Sequence, residues 1–150
     1  MSDLKSKLRD DLTTAMKARD ELRTATLRMV LAAVTAEEVA GKEARELSDD
    51  EVQAVLRREG KKRREAAEAF AGAGRAEQAA RERAEGDVVA DYLPAQLSDA
   101  DLTALVAEVV TATGANGMGD MGKVMGQANA RVAGRAEGGR VAAEVRRQLG

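Results

Sequence analysis

A glycine-rich segment carries the residue types best suited to chemistry, because its glycines match two nucleotide-binding motifs. Gly117, Gly119 and Gly122 spell G-x-G-x-x-G, while Gly117, Gly122 and Lys123 spell the start of a phosphate-binding loop. Both motifs require the glycines to lie between a β-strand and a helix N-terminus, where backbone N–H groups point at phosphate. Here a helical pattern leads into the glycines, and Val124 stands where a phosphate loop needs Ser or Thr for magnesium. The sequence therefore predicts no bound nucleotide, cofactor or metal ion at this segment.

Two interpretations remain open for this segment. In the first, Gly122 and Gly126 lie on one helix face and allow close helix packing, while neighbouring methionines fill the gaps. In the second, N–H groups near a helix start and the Lys123 ammonium hold a phosphate without any catalysis. Packing is the favoured explanation for the glycines and methionines, but it does not account for Lys123, Arg135 and Arg140, which are candidate phosphate contacts. The methionines concerned are Met118, Met121 and Met125.

A second candidate site is a dense group of basic residues on one predicted helix. Its members are Arg57, Arg58, Lys61, Lys62, Arg63 and Arg64. At about 100° per residue, Arg57, Lys61 and Arg64 form one narrow stripe, which we call the basic stripe, opposite Val52 and Val55. Such a stripe either neutralises several phosphates or is a solvated helix face whose charge nearby glutamates partly balance.

Two other features are expected to be structural. Glu59 and Arg63 lie four residues apart on the apolar side of the same helix, in the favourable acid-before-base order, and predict an ion pair at a helix interface. Tyr92-Leu93-Pro94, with the single proline of the chain, is expected to pack as the joint between two lobes, so that Tyr92 is structural rather than stacked on a base.

Composition limits the classes of function. The chain has no histidine and no cysteine, which removes the usual general base, thiolate nucleophiles and the commonest metal ligands. With 24 basic and 26 acidic residues the net charge is −2, so a globally basic nucleic-acid binder is excluded while a local basic patch is not. No apolar run is long enough for a membrane span, and the N-terminus lacks the pattern of a signal peptide. We expect a cytoplasmic protein without a catalytic site of its own.

Helical periodicity, abundant alanine and few β-branched residues predict an all-α fold with two lobes, residues 1–93 and 94–150. Four helices are expected in the first lobe and three in the second. The first helix is predicted from a cap at Ser2 or Asp3 through Met16, and the second from the charged joint Lys17–Glu21 to about Gly41. The third is predicted from the Ser48 and Glu51 capping box to about Gly72, and the fourth from about Arg75 to Tyr92. The second-lobe helices are predicted at about Asp99–Thr113, Gly119–Val132 and Glu137–Leu149.

Three motifs in this order resemble the YqeY family over nearly the whole chain: Tyr92-Leu-Pro-Ala-Gln-Leu-Ser98, Asp120-Met-Gly-Lys-Val-Met-Gly126 and Gly134-Arg-Ala-Glu-Gly138. The C-terminal half of that family is similar to the tail domain of GatB, the B subunit of the tRNA-dependent amidotransferase, where the tail helps to hold tRNA. The resemblance implies an accessory role linked to tRNA or to a tRNA-modifying or aminoacylation-linked protein. The basic stripe and Lys123, Arg135 and Arg140 are then the predicted RNA contacts.

Two other functions stay open. The first is a protein–protein adaptor whose apolar helix faces bind a partner while the charges keep the chain soluble. The second is carbon–nitrogen ligase chemistry with glutamine as amide donor, which the family connection implies. The chain lacks the Gly/Ser-rich amidase segment and the kinase-like half for that chemistry, so such activity would reside in a partner.

Overall fold

The computed structural model describes residues 2–150, and this part of the chain is all-α, as predicted, with no β-strand. Seven α-helices follow one another, and a short 3-10 turn, Met118–Asp120, precedes the sixth. Their bounds are α1 Asp3–Lys17, α2 Glu21–Glu38, α3 Asp49–Gly72, α4 Ala76–Ala90, α5 Asp99–Thr113, α6 Met121–Val132 and α7 Gly138–Leu149.

Short polar side chains begin several of these helices by accepting hydrogen bonds from the exposed N–H groups of the first turn. The predicted capping box of α3 is confirmed: Glu51 N donates to Ser48 Oγ, and Ser48 N donates to Glu51 Oε1, both at 3.2 Å. Ser2 caps α1 and Ser98 caps α5 in the same way, through 3.0 and 3.1 Å bonds.

The end of α2 differs from the sequence prediction, because the helix stops at Glu38 rather than near Gly41. Lys5 Nζ donates to both carboxylate oxygens of Glu38, at 2.7 and 2.9 Å, and the Leu47 amide also donates to that carboxylate. Lys5 and Glu38 are both buried. After the helix the chain returns to Glu38, since the Arg45 amide donates to the Glu38 carbonyl at 3.0 Å. Similarly, α4 ends at Ala90, two residues before the predicted Tyr92.

The chain divides into two compact units, one that ends at Leu93 and one that begins at Pro94. The first unit buries a cluster of aliphatic side chains from α1 to α4 together with Tyr92. The second unit has its own core from α5, α6 and α7, in which Val106, Val109, Val124 and Val141 are fully buried.

Helices α3 and α4 form the long hairpin that presents the basic residues. Its turn contains Gly74, whose φ of +74° lies in the left-handed region that glycine adopts without strain. Gly60 and Gly86 face the partner helix, and a Cβ on either would lie 3.6 Å from one of its side chains, an ordinary van der Waals distance. Among residues 2–150, no helix is both long enough and apolar enough to cross a membrane.

Candidate nucleic-acid interface

The basic stripe lies on α3, where Arg57 and Lys61 have at most a weak contact with a carboxylate among residues 2–150. Arg57 is half-buried, and no carboxylate of residues 2–150 lies within 4.0 Å of its guanidinium. The Lys61 side chain is 65% exposed, and its nearest ion-pair partner, Glu65, is 3.9 Å away. An exposed pair at this distance contributes little free energy. Arg64 is also exposed.

The neighbouring cations of α3 have closer partners. Arg58 Nη2 lies 3.3 Å from Glu37 Oε2 on α2, and Lys62 Nζ lies 3.3 Å from Glu59 Oε1 within α3. The six basic residues of this segment therefore differ in role. Those outside the stripe neutralise glutamates of the same unit.

Arg63 is the centre of an ionic cluster between α3 and α4. Its guanidinium lies 3.8 Å from Glu59, 3.2 Å from Glu82 and 3.4 Å from Glu85, and Arg81 contacts Glu85 from the other side at 3.3 Å. Glu59 and Glu85 are buried, and Arg63 Nε is a buried nitrogen without a hydrogen-bond partner in the part of the chain described. The predicted Glu59–Arg63 pair is thus confirmed within α3, at the interface where Arg63 also binds Glu82 and Glu85 of α4.

In the second unit, Lys123 and Arg135 bind carbonyl oxygens at helix C-termini. Lys123 Nζ donates to Thr113 O, the last residue of α5, at 3.2 Å. Arg135 Nε donates to Val132 O at 3.2 Å, at the end of α6, and its Nη2 donates to Arg131 O. Cations are favourable at these positions because helix C-termini carry unpaired carbonyls and a partial negative charge.

Arg140 binds the segment that leads into α5. Its Nη2 donates to Leu97 O and to Asp99 Oδ1, both at 2.9 Å. The Leu97 amide in turn donates to Arg135 O at 2.7 Å. Arg135 and Arg140 are therefore brought together around Leu97. Lys123 lies in the first turn of α6, about 14 Å along the helix axis from Val132 at the other end.

The predicted close packing at Gly122 and Gly126 is wrong. A Cβ on either glycine would meet no atom within 4 Å. The face of α6 that carries Val124 and Ala128 is the one turned to the core, so residues 122 and 126 lie on the opposite, exposed face. Met118 is also 47% exposed instead of filling a gap. Met121 and Met125 do pack against the core, as expected.

A helix precedes the glycine-rich segment, as predicted, so the strand–loop–helix context of both nucleotide motifs is absent from residues 94–150. Just before α6, the Asp120 carboxylate accepts a 3.2 Å hydrogen bond from the backbone N–H of Asn116. No group of three or more acidic, histidine or cysteine residues within residues 2–150 is arranged to hold a metal ion.

Tyr92 belongs to a polar cluster that the sequence does not reveal. Its hydroxyl donates to Asp11 Oδ2 at 2.5 Å and accepts from Arg23 Nη2 at 3.1 Å. The Lys7 and Arg23 cations lie 5.6 and 5.8 Å from the ring centroid. Burial, followed by the hydrogen bond to Asp11, raises the Tyr92 pKa to about 12. The same bond lowers the pKa of Asp11. The expected structural role of Tyr92 is confirmed, because the ring is buried and not available for stacking.

Comparison with known families gives one match. The model of the family described as Yqey-like protein matches residues 5–149. No curated protein matches the chain.

Proposed function

Because this chain belongs to the YqeY-like family, we propose that it is a non-catalytic accessory protein that binds tRNA through the phosphate backbone. The observation that carries the proposal is the unequal use of the basic residues on α3. Arg58, Lys62 and Arg63 neutralise glutamates. Among residues 2–150, Arg57 has no carboxylate within 4.0 Å, and the ion pair of Lys61 with Glu65 is long, at 3.9 Å. Cations that are not closely paired with a carboxylate of the same protein, such as Arg57 and Lys61, can bind the phosphates of a polyanion.

The geometry of the basic stripe suits a nucleic-acid backbone. Arg57 and Arg64 are seven residues apart, which is about 10 Å along a helix, and Lys61 lies between them on the same face. One strand of a duplex presents about three phosphates over such a length. We therefore expect the stripe to contact successive phosphates of one strand.

The second unit supplies additional contacts in this proposal. Lys123, Arg135 and Arg140 each use some N–H donors on carbonyl oxygens, yet lysine and arginine have further donors that remain free to bind phosphate. These carbonyl contacts hold the cations in place, which reduces the side-chain entropy lost when RNA binds.

Recognition is proposed to depend on backbone and shape rather than on bases. The only aromatic residues are Phe70, which is half-buried, and Tyr92, whose ring is buried. Proteins that read single-stranded bases use exposed aromatic rings as stacking platforms. We therefore expect little dependence on base sequence and a steep dependence on salt concentration.

A salt titration of binding to bulk tRNA, with duplex DNA of similar length as the control, tests this function. We expect affinity for tRNA to exceed that for the duplex, and the logarithm of the binding constant to fall linearly with the logarithm of salt concentration. Absent binding at low salt contradicts the proposal. A stoichiometric protein partner recovered after nuclease treatment would then favour the adaptor, and glutamine-dependent product formation by the purified chain alone would favour an enzyme.

A further inference from the structure

The chain contains two asparagines, Asn116 and Asn129, and only Asn116 is followed by glycine. Asparagine is thermally labile in proteins because its side-chain carbonyl is open to attack by the next backbone nitrogen. A following glycine favours this attack, since the absence of a side chain leaves its backbone unhindered and conformationally free. Both asparagines are exposed and belong to the second unit, so Asn129 serves as an internal control for Asn116.

The surroundings of Asn116 leave its side chain accessible. The residue is exposed and lies in the irregular connection between α5 and the 3-10 turn. Gly117 is extended, with φ 176° and ψ 178°, and nothing lies within 4 Å of a Cβ placed on it. Within residues 2–150 neither the Gly117 N–H nor the Asn116 side-chain amide has a hydrogen-bond partner. In this described connection Asp120 binds the Gly117 carbonyl and the Asn116 backbone N–H, at 3.0 and 3.2 Å. The two reacting groups therefore need not break a hydrogen bond of their own before the Gly117 nitrogen reaches the Asn116 side chain.

We propose that Asn116–Gly117 is a site of spontaneous deamidation in the folded protein. The Gly117 backbone nitrogen attacks Cγ of Asn116 and gives up its proton, the bond from Cγ to the side-chain nitrogen breaks, and the NH2 group takes one proton in place of the one released and leaves as ammonia. A five-membered succinimide results. Water then adds to one of its two carbonyl carbons and the ring opens, which yields aspartate or isoaspartate at position 116.

Asn129 is protected from the same reaction by its place in the fold. It lies in the second half of α6, and the following residue is Ala130. The helical hydrogen-bond ladder fixes the backbone there and holds the next nitrogen away from the asparagine side chain. Attack would require that turn of the helix to open.

The reaction changes the charge of the connection before α6. The formal net charge of the chain goes from −2 to −3 with each conversion. The new carboxylate stands near that of Asp120, which already accepts a hydrogen bond from the Asn116 backbone amide at 3.2 Å. The isoaspartate product also lengthens the backbone by one methylene group and displaces that amide.

The test is to incubate the full, folded chain in mildly alkaline buffer and to analyse tryptic peptides by mass spectrometry over time. Trypsin separates the two asparagines, because residue 116 lies in peptide 84–123 and residue 129 in peptide 124–131. We expect amide-to-acid conversion and isoaspartate in the first peptide only. Gly117→Ala should slow the conversion several-fold, and Asn116→Gln should abolish it.

Two results would overturn the proposal. One is conversion of Asn116 in the native chain at no greater rate than that of Asn129. The other is conversion that occurs only after the chain is unfolded in urea, which would show that the native connection protects the residue. Circular dichroism of each variant before incubation confirms that the comparison is made between folded chains.

Discussion

Replacing Gly126 by alanine is expected to stabilise the protein, although glycines in this segment resemble functional motifs. Gly126 lies inside α6, and a Cβ there would meet no atom within 4 Å. Glycine in a helix interior costs about 0.5–1 kcal/mol relative to alanine. With Gly122→Ala added, which is closer to the helix start, we expect the free energy of unfolding to rise by about 1–2 kcal/mol in total.

The matched control is Gly114→Ala, which makes the same chemical change at the C-terminus of α5. Gly114 has a φ of +67°, a left-handed conformation that costs alanine about 1–2 kcal/mol. The two substitutions should therefore shift the free energy of unfolding in opposite directions. Urea unfolding of the full chain, followed by far-ultraviolet circular dichroism, measures both. Destabilisation by Gly126→Ala would refute the reasoning, because it would show that the exposed face of α6 does not tolerate a Cβ.

Three further predictions concern polar groups within the fold. Lys5→Met leaves Glu38 buried and unpaired and should cost about 3–5 kcal/mol in urea unfolding, which a second change, Glu38→Gln, should partly restore. Tyr92→Phe should lower the free energy of unfolding by about 1–3 kcal/mol. In the unmodified protein, ultraviolet titration of this single tyrosine should give a pKa of about 12. The free energy of unfolding should then fall as the pH rises from 10 to 12, because the fold stabilises the neutral hydroxyl. Arg147 lowers the Glu144 pKa from 4.5 to about 2. The stability that the ionised carboxylate contributes is therefore complete above pH 4.5 and is lost as the pH falls toward 2. Glu144→Gln should flatten the dependence of unfolding free energy on pH in this range. Titration of Tyr92 at the ordinary tyrosine pKa would contradict the second prediction. Acid unfolding profiles that coincide for Glu144→Gln and the original chain would contradict the third.

Much of the fold can be predicted from local patterns. The capping box of Ser48 and Glu51, the turn at Gly74 and the bounds of α5 follow from residues that interact within a few positions of one another. The buried ion pair at the end of α2 does not, since it joins Glu38 to Lys5, which are 33 residues apart. Tertiary contacts of this kind leave no local signal.

The candidate site shows the same division. Helical spacing places Arg57, Lys61 and Arg64 on one face, and it predicts the pair of Glu59 with Arg63. Spacing alone, however, does not tell which face of a helix meets a neighbour. For that reason the sequence pattern predicts helix packing at Gly122 and Gly126, although both are exposed. The asymmetry between paired and weakly paired cations on α3 depends on carboxylates of α2 and α4, which only the folded chain brings near.

The central claim, that the basic stripe contacts tRNA phosphates, is tested most directly by the salt dependence of a triple variant. Arg57, Lys61 and Arg64 are changed to glutamine, and the slope of log binding constant against log salt concentration is compared with that of the original chain. Each lost phosphate contact should reduce the magnitude of the slope by about one, so we expect a reduction of about three. The control removes three exposed cations outside α3: Lys17→Gln, Arg19→Asn and Lys42→Gln. A flattened slope in the stripe variant alone supports the account, whereas tRNA binding with the original slope and affinity in that variant would contradict it.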